Sequence, residues 1–148
     1  ASTGTGVAPH MTMLEACVDT CRQVVMMECV RYSAELAYAE QIRKFQQTHP
    51  NLVYISLVTR EGGAKRYIQD YFRDGILEKE HGVSIAPETT HVFACGNPAM
   101  IGIPKEDRKT GAVSYDTPGG LVEILTTRYG LTIHKPRQPG LIHFEKYW

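Results

Sequence analysis

The sequence is short of most features that mark the specialised protein classes. It has no excess of either charge: sixteen Lys plus Arg stand against sixteen Asp plus Glu. No global field therefore draws nucleic acid or an anionic membrane, and any phosphate site must be local. The longest apolar run, Leu52 to Val58, is far below the roughly 18 residues that span a bilayer, so no membrane span is expected. Four cysteines, Cys17, Cys21, Cys29 and Cys95, are too sparse for a disulfide scaffold and point to a reducing cytoplasm. Six scattered histidines add no ligand spacing to them, so no metal site is expected. No internal repeat and no secretory signal is read in the chain.

What is present is the balance of a folding domain of 148 residues, with one core expected. Short apolar runs alternate with stretches of helical period, the pattern of βα units and a parallel sheet. The runs are Val24–Val30, Leu52–Val58, His91–Cys95, Leu131–Ile133 and Leu141–Phe144. Between them, Pro9 predicts a helix start ahead of Met11, Leu14, Cys17 and Val18. Ser33 predicts the N-cap of a second helix carrying Leu36, Ala39, Ile42 and Phe45. Ile68, Tyr71, Phe72 and Ile76 mark a third, and Leu121, Ile124 and Leu125 a fourth that Gly130 ends. Residues 104–118 lack periodicity and read as an exposed insertion. A βαβ domain opening on Ala1-Ser2-Thr3-Gly4 lacks the apolar strand expected before its glycines. The first strand is therefore expected to be truncated and missing from the sheet.

Three loops and the last residues carry chemistry. Gly4-Thr5-Gly6-Val7-Ala8-Pro9 joins a glycine turn to a helix N-terminus, where unpaired amides and the dipole favour a diphosphate; a plain tight loop is the competing reading. Thr59-Arg60-Glu61-Gly62-Gly63-Ala64-Lys65-Arg66-Tyr67 has a hydroxyl, three cations and an aromatic, a set that suits an adenosine 2′-phosphate; a solvated basic turn is the competing reading, against which stands its place after the central strand. Cys95-Gly96-Asn97-Pro98-Ala99-Met100 repeats the strand–glycine–proline–helix geometry, and glycine beside a small thiol lets a planar ring approach the backbone. The chain closes on Phe144-Glu145-Lys146-Tyr147-Trp148, two large aromatics that require a partner surface.

Together and in this order, these segments resemble the NADP-binding half of the ferredoxin/flavodoxin–NADP reductase family, of the bacterial type. The resemblance implies an α/β three-layer sandwich with a parallel, Rossmann-like five-stranded sheet, and a single NADP-binding domain over residues 1–148. It also implies the site. Gly4, Thr5, Gly6 and Pro9 would hold the pyrophosphate, and Arg31, Thr59, Arg60 and either Lys65 or Arg66 the 2′-phosphate, with Tyr67 near the adenine. Gly96, Asn97, Pro98 and Met100 belong to the nicotinamide-side motif, where Asn97 stands in place of the second proline of related reductases. Cys95 and Glu145 would flank the nicotinamide, Tyr147 would stack on the flavin, and Trp148 would lie toward its adenine side.

The implied activity is hydride transfer between NADPH and FAD, with electrons passed to or from ferredoxin or flavodoxin. FAD would be held by an N-terminal flavin domain absent from this chain, which alone is expected to be inactive. Two alternatives stand beside it: a reductase component of an oxygenase-type system, and a nucleotide-binding module without catalysis.

Overall fold

The computed structural model describes residues 1–63 and 65–146; Ala64, Tyr147 and Trp148 lie outside the described residues. The chain divides into two compact units, Ala1–Ile68 and Gln69–Trp148. In the first, β1 (Ser2–Thr3) leads through a 3-10 turn (Gly4–Gly6) into α1 (Val7–Cys17), followed by β2 (Val24–Val30), a second 3-10 turn (Ser33–Glu35), α2 (Ala39–Thr48) and β3 (Leu52–Val58). Next comes α3 (Ile68–Arg73), which begins on the last residue of that unit. Then follow α4 (Ile76–His81), β4 (Val92–Gly96), α5 (Pro98–Ile101), β5 (Pro104–Glu106), β6 (Val113–Tyr115), α6 (Leu121–Tyr129) and β7 (Ile142–Lys146). The fold is α/β with a five-stranded parallel sheet of order β3-β2-β1-β4-β7.

The first unit is built as its periodicity requires. Val7, Met11, Leu14 and Val18 recur at three- and four-residue steps, so one stripe of α1 turns inward and packs with Met26, Ile42 and Leu52. β2 and β3 pair in parallel along their full length, from Val24 opposite Leu52 to Val30 opposite Val58. In the second unit, Val92 pairs with Ile142 and the register runs on to Gly96 opposite Lys146.

Several sequence expectations are corrected. The first strand is short yet present: Ser2 lies opposite Glu28 and Thr3 opposite Cys29, and the buried Ser2 hydroxyl donates to the Met27 carbonyl at 3.2 Å. α1 starts at Val7, so Pro9 falls inside the first turn, where a missing amide costs nothing because those amides have no intrahelical partner. Ser33 opens a single 3-10 turn, and α2 begins only at Ala39. The predicted third helix is two, α3 and α4, broken where Gly75 takes a left-handed φ of 67°.

Leu131–Ile133 is not a strand: the Leu131 amide returns to the Leu125 carbonyl at 3.1 Å and its side chain is buried, so this residue closes the end of α6 after Gly130. Only Ile133 makes an isolated bridge to Ile142. The insertion at 104–118 is exposed as expected, and it holds the antiparallel hairpin β5·β6. Its turn is set by Asp107, whose Oδ1 accepts the amides of Lys109 and Thr110 at 2.7 and 2.9 Å.

One core position carries a carboxyl. Glu28 on β2 is fully buried; its Oε2 accepts from the Tyr54 hydroxyl at 2.8 Å, and its Oε1 has no partner. Burial raises the Glu28 pKa, the Tyr54 hydrogen bond opposing it. A raised carboxyl stabilises the fold fully below its unfolded pKa of about 4.3, and that contribution is lost as pH rises from there toward the folded value. Glu28→Gln, which keeps an acceptor for Tyr54 and never ionises, is expected to raise the urea midpoint above wild type at neutral pH, with the advantage shrinking to nothing near pH 4. Parallel midpoint–pH curves for the two proteins would show that Glu28 stays uncoupled from folding.

Candidate functional site

Two groups of predicted residues are assembled, one in each unit. In the first, Gly4 adopts a φ of +53°, the left-handed region open to glycine, and a Cβ built there would meet nothing within 4 Å. Its role is conformational rather than steric. The turn leads into α1, whose N-terminus has no side-chain cap and no acidic residue in its first turn. Any attraction for an anion there comes from backbone amides and the dipole. His10, next to Pro9, has its pKa lowered, burial being the largest cause.

The second element of this group is a pair of loops. Beyond the last paired residues of β2 and β3 the ladder continues: the Thr59 amide donates to the Val30 carbonyl at 3.0 Å, and the Arg60 amide to the Arg31 carbonyl at 2.9 Å. Arg31 and Arg60 are thereby neighbours on adjacent chain segments, roughly 5 Å apart across the ladder. Neither guanidinium makes a hydrogen bond or ion pair among the described residues. The Thr59 hydroxyl also donates to the Val30 carbonyl, at 3.1 Å. Lys65, Arg66 and Tyr67 are exposed, and the Lys65 ammonium lies 5.3 Å from the centre of the Tyr67 ring.

Sequence reasoning missed the two acids that shape these loops. Glu35 Oε2 accepts from the amides of Arg31 and Tyr32 at 2.8 and 3.1 Å. Those bonds, Tyr32 first and then Arg31, hold the Glu35 carboxyl below the usual range, with Arg31 and Arg60 adding charge attraction. Glu61 Oε1 accepts from both the amide and the hydroxyl of Ser33, at 2.8 and 3.1 Å. For Glu35 a signal existed, since an acid three residues after a turn's first position can reach back to its amide. For Glu61 none did, because its partner is 28 residues away.

In the second unit the Cys95–Met100 motif has the expected geometry. Cys95 is buried at the end of β4, Gly96 takes a φ of 134°, and Pro98 opens α5. Asn97 has a visible structural task, its Oδ1 accepting the Ala99 amide at 2.8 Å as the N-cap. Met100 is 5% exposed and belongs to the core. Cys95 and Glu145 are register partners on β4 and β7, which puts the two predicted nicotinamide neighbours side by side, with Glu145 exposed. Tyr147 and Trp148, the other terminal candidates, lie outside the described residues. Three of the scattered histidines also meet: the His143 ring stacks at 4.5 Å on His134, 4.6 Å on Phe93 and 5.9 Å from His91. Their rings face one another, and no group of three metal-binding residues exists among the described residues.

Comparison with known proteins agrees with this geometry. The family model of the oxidoreductase NAD-binding domain matches residues 1–106. The flavodoxin/ferredoxin–NADP reductase of Buchnera aphidicola (subsp. Baizongia pistaciae) is 27% identical over 153 aligned residues, covering 99% of this chain and 55% of that protein. The ferredoxin–NADP reductase of Pseudomonas aeruginosa is 32% identical over 112 residues, covering 68% of this chain and 43% of that protein. A crystal structure of a ferredoxin NADP+ reductase from Neisseria gonorrhoeae with bound FAD and NADP shares the fold, with a TM-score of 0.73 at 20% identity over 98% of this chain and 53% of that one. The chain thus spans about half the length of the relatives it matches. With its glycine turn before α1, its arginine-bearing strand exits and its Cys-Gly-Asn-Pro motif inside the matched region, this chain belongs to the oxidoreductase NAD-binding domain family and is similar to part of the ferredoxin/flavodoxin–NADP reductases.

Proposed function

We propose that this chain binds NADP(H) for a flavoprotein reductase that moves hydride between NADPH and FAD and exchanges electrons with ferredoxin or flavodoxin. The observation that carries the nucleotide choice is the pairing of Arg31 with Arg60 at the ends of β2 and β3. A ribose diol is held by an acid at the end of the second strand, whereas a 2′-phosphate needs cations there. The acid that does follow β2, Glu35, already accepts two backbone amides. Two guanidinium groups in that place favour the phosphate, whose oxygens they match in charge and geometry.

The remaining roles follow the motifs. Amides of the Gly4–Pro9 segment would take the pyrophosphate, Tyr67 would cover the adenine, and Cys95 with Glu145 would border the nicotinamide. Tyr147 would stack on the flavin, with Trp148 toward its adenine. FAD belongs to the flavin domain that the longer relatives would supply in the intact protein. When bound, the two cofactors supply the redox chemistry; this chain's residues bind, orient and exclude water.

Calorimetric titration of the 148-residue chain with NADP and with NAD tests the reading. NADP is expected to bind at least tenfold more tightly, the worth of one added charge-assisted contact at roughly 1.5–3 kcal/mol. Equal affinities would reject it and favour the oxygenase-type or non-catalytic alternatives.

A further inference from the structure

We propose that Glu61 is a positioning residue for 2′-phosphate recognition: by clamping Ser33 it locks the β2 and β3 exit loops together and so fixes the spacing of Arg31 and Arg60. This inference rests on the NADP reading above.

The strands end at Val30 and Val58, and residues 31–35 and 60–63 in the loops that follow are exposed. Two separate loops in water would sample many relative positions, and two long arginine side chains add further freedom that a ligand must freeze. Three sets of bonds remove the loop freedom. Backbone bonds join Thr59 to Val30 and Arg60 to Arg31. Glu35 folds back on the Arg31 and Tyr32 amides, fixing the direction in which the chain leaves β2. Glu61 then reaches across and takes both the amide and the hydroxyl of Ser33 on a single oxygen. Each arginine is within two residues of one end of this clamp, Arg60 beside Glu61 and Arg31 two before Ser33.

The clamp also has an apparent cost that separates its two properties. A carboxylate beside a phosphate site repels the ligand, yet what holds Ser33 is an acceptor oxygen, which an amide also offers. Geometry and charge therefore make opposite predictions for two substitutions. Glu61→Ala removes the acceptor. Glu61→Gln keeps an acceptor for Ser33 and removes the repulsion.

The test uses 2′,5′-ADP and 5′-AMP as probes, which differ by the 2′-phosphate, titrated into wild type, Glu61→Ala and Glu61→Gln. In Glu61→Ala the affinity ratio of 2′,5′-ADP to 5′-AMP is expected to fall roughly tenfold, one contact's worth, with 5′-AMP binding unchanged. Glu61→Gln is expected to keep the wild-type ratio or exceed it. Amide hydrogen exchange at Ser33 should accelerate in the Ala variant alone, which reports the clamp without any ligand. An unchanged ratio in Glu61→Ala, or an equal loss for both probes, overturns the clamp while leaving the NADP reading intact. A wild-type chain that does not prefer 2′,5′-ADP overturns the NADP reading, and the clamp's role with it.

Discussion

Replacing Arg60 with Ala is expected to weaken NADP binding by roughly tenfold to a hundredfold and to leave NAD nearly unchanged. Arg60 sits in the continuation of the β2·β3 ladder, its amide bonded to the Arg31 carbonyl at 2.9 Å. That bond uses the backbone, so the substitution keeps the loop's geometry and removes only the guanidinium. The lost interaction is charge-assisted and confined to the 2′-phosphate, which NAD lacks. Titration of both nucleotides into wild type and variant checks it. Equal losses would mean that Arg60 supports the loop itself. The effect should also shrink as salt is raised, because the site is exposed and screening is efficient over about 10 Å at 0.1 M.

Much of this site was legible before the structure. Arg60, Arg31 and the glycine turn at Gly4 are local signals: residue types whose chemistry is fixed, the two arginines following apolar runs and the glycines preceding a helical stripe. The acids were not legible. Glu35 read as a first-turn acid of the second helix and Glu61 as one member of a cationic loop, and only their contacts with Arg31, Tyr32 and Ser33 turn them into loop braces. The bond from the Thr59 hydroxyl to the Val30 carbonyl was likewise not legible.

The largest loss of stability is expected from Gly102→Ala. Gly102 ends α5 with a φ of +68°, and a Cβ there would lie 2.7 Å from the Gly120 Cα at the start of α6. Gly120 has the reciprocal conflict, its own added Cβ lying 2.4 Å from the Gly102 Cα. Both obstacles are backbone, so no side chain can swing aside. The left-handed conformation costs roughly 1–2 kcal/mol for a residue with a Cβ, and overpacking adds about 1–3 kcal/mol. Gly111→Ala is the control, since Gly111 has a φ of +70° but open space around its Cβ, and only the first cost applies. Urea unfolding of the three proteins separates the terms. Similar losses at Gly102 and Gly111 would show that the α5–α6 approach relaxes freely. The contact bears on the proposed nicotinamide side because α5 follows directly on the Cys95-Gly96-Asn97 motif.

The sequence alone determined whatever depends on neighbours along the chain. Helical stripes such as Met11, Leu14 and Val18, the β-branched run Leu52–Val58, and glycines at required backbone angles each state their conformation within a few residues, because the burial or φ that selects them is local. Local rules also erred where a distant partner outweighed them. Leu131–Ile133 has a strand's composition, but the end of α6 captures Leu131 first. Ser2–Thr3 has no strand signal at all, yet it pairs with Glu28 and Cys29, since two residues in register need only backbone groups to join a ladder. Tertiary structure alone decided that Glu61 meets Ser33, that Cys95 stands opposite Glu145, that His91 and His134 stack against His143 of β7, and that Gly102 touches Gly120. Each of these joins residues far apart in sequence, and the physical terms that fix them are register, excluded volume and hydrogen-bond geometry, which have no meaning until the chain has folded.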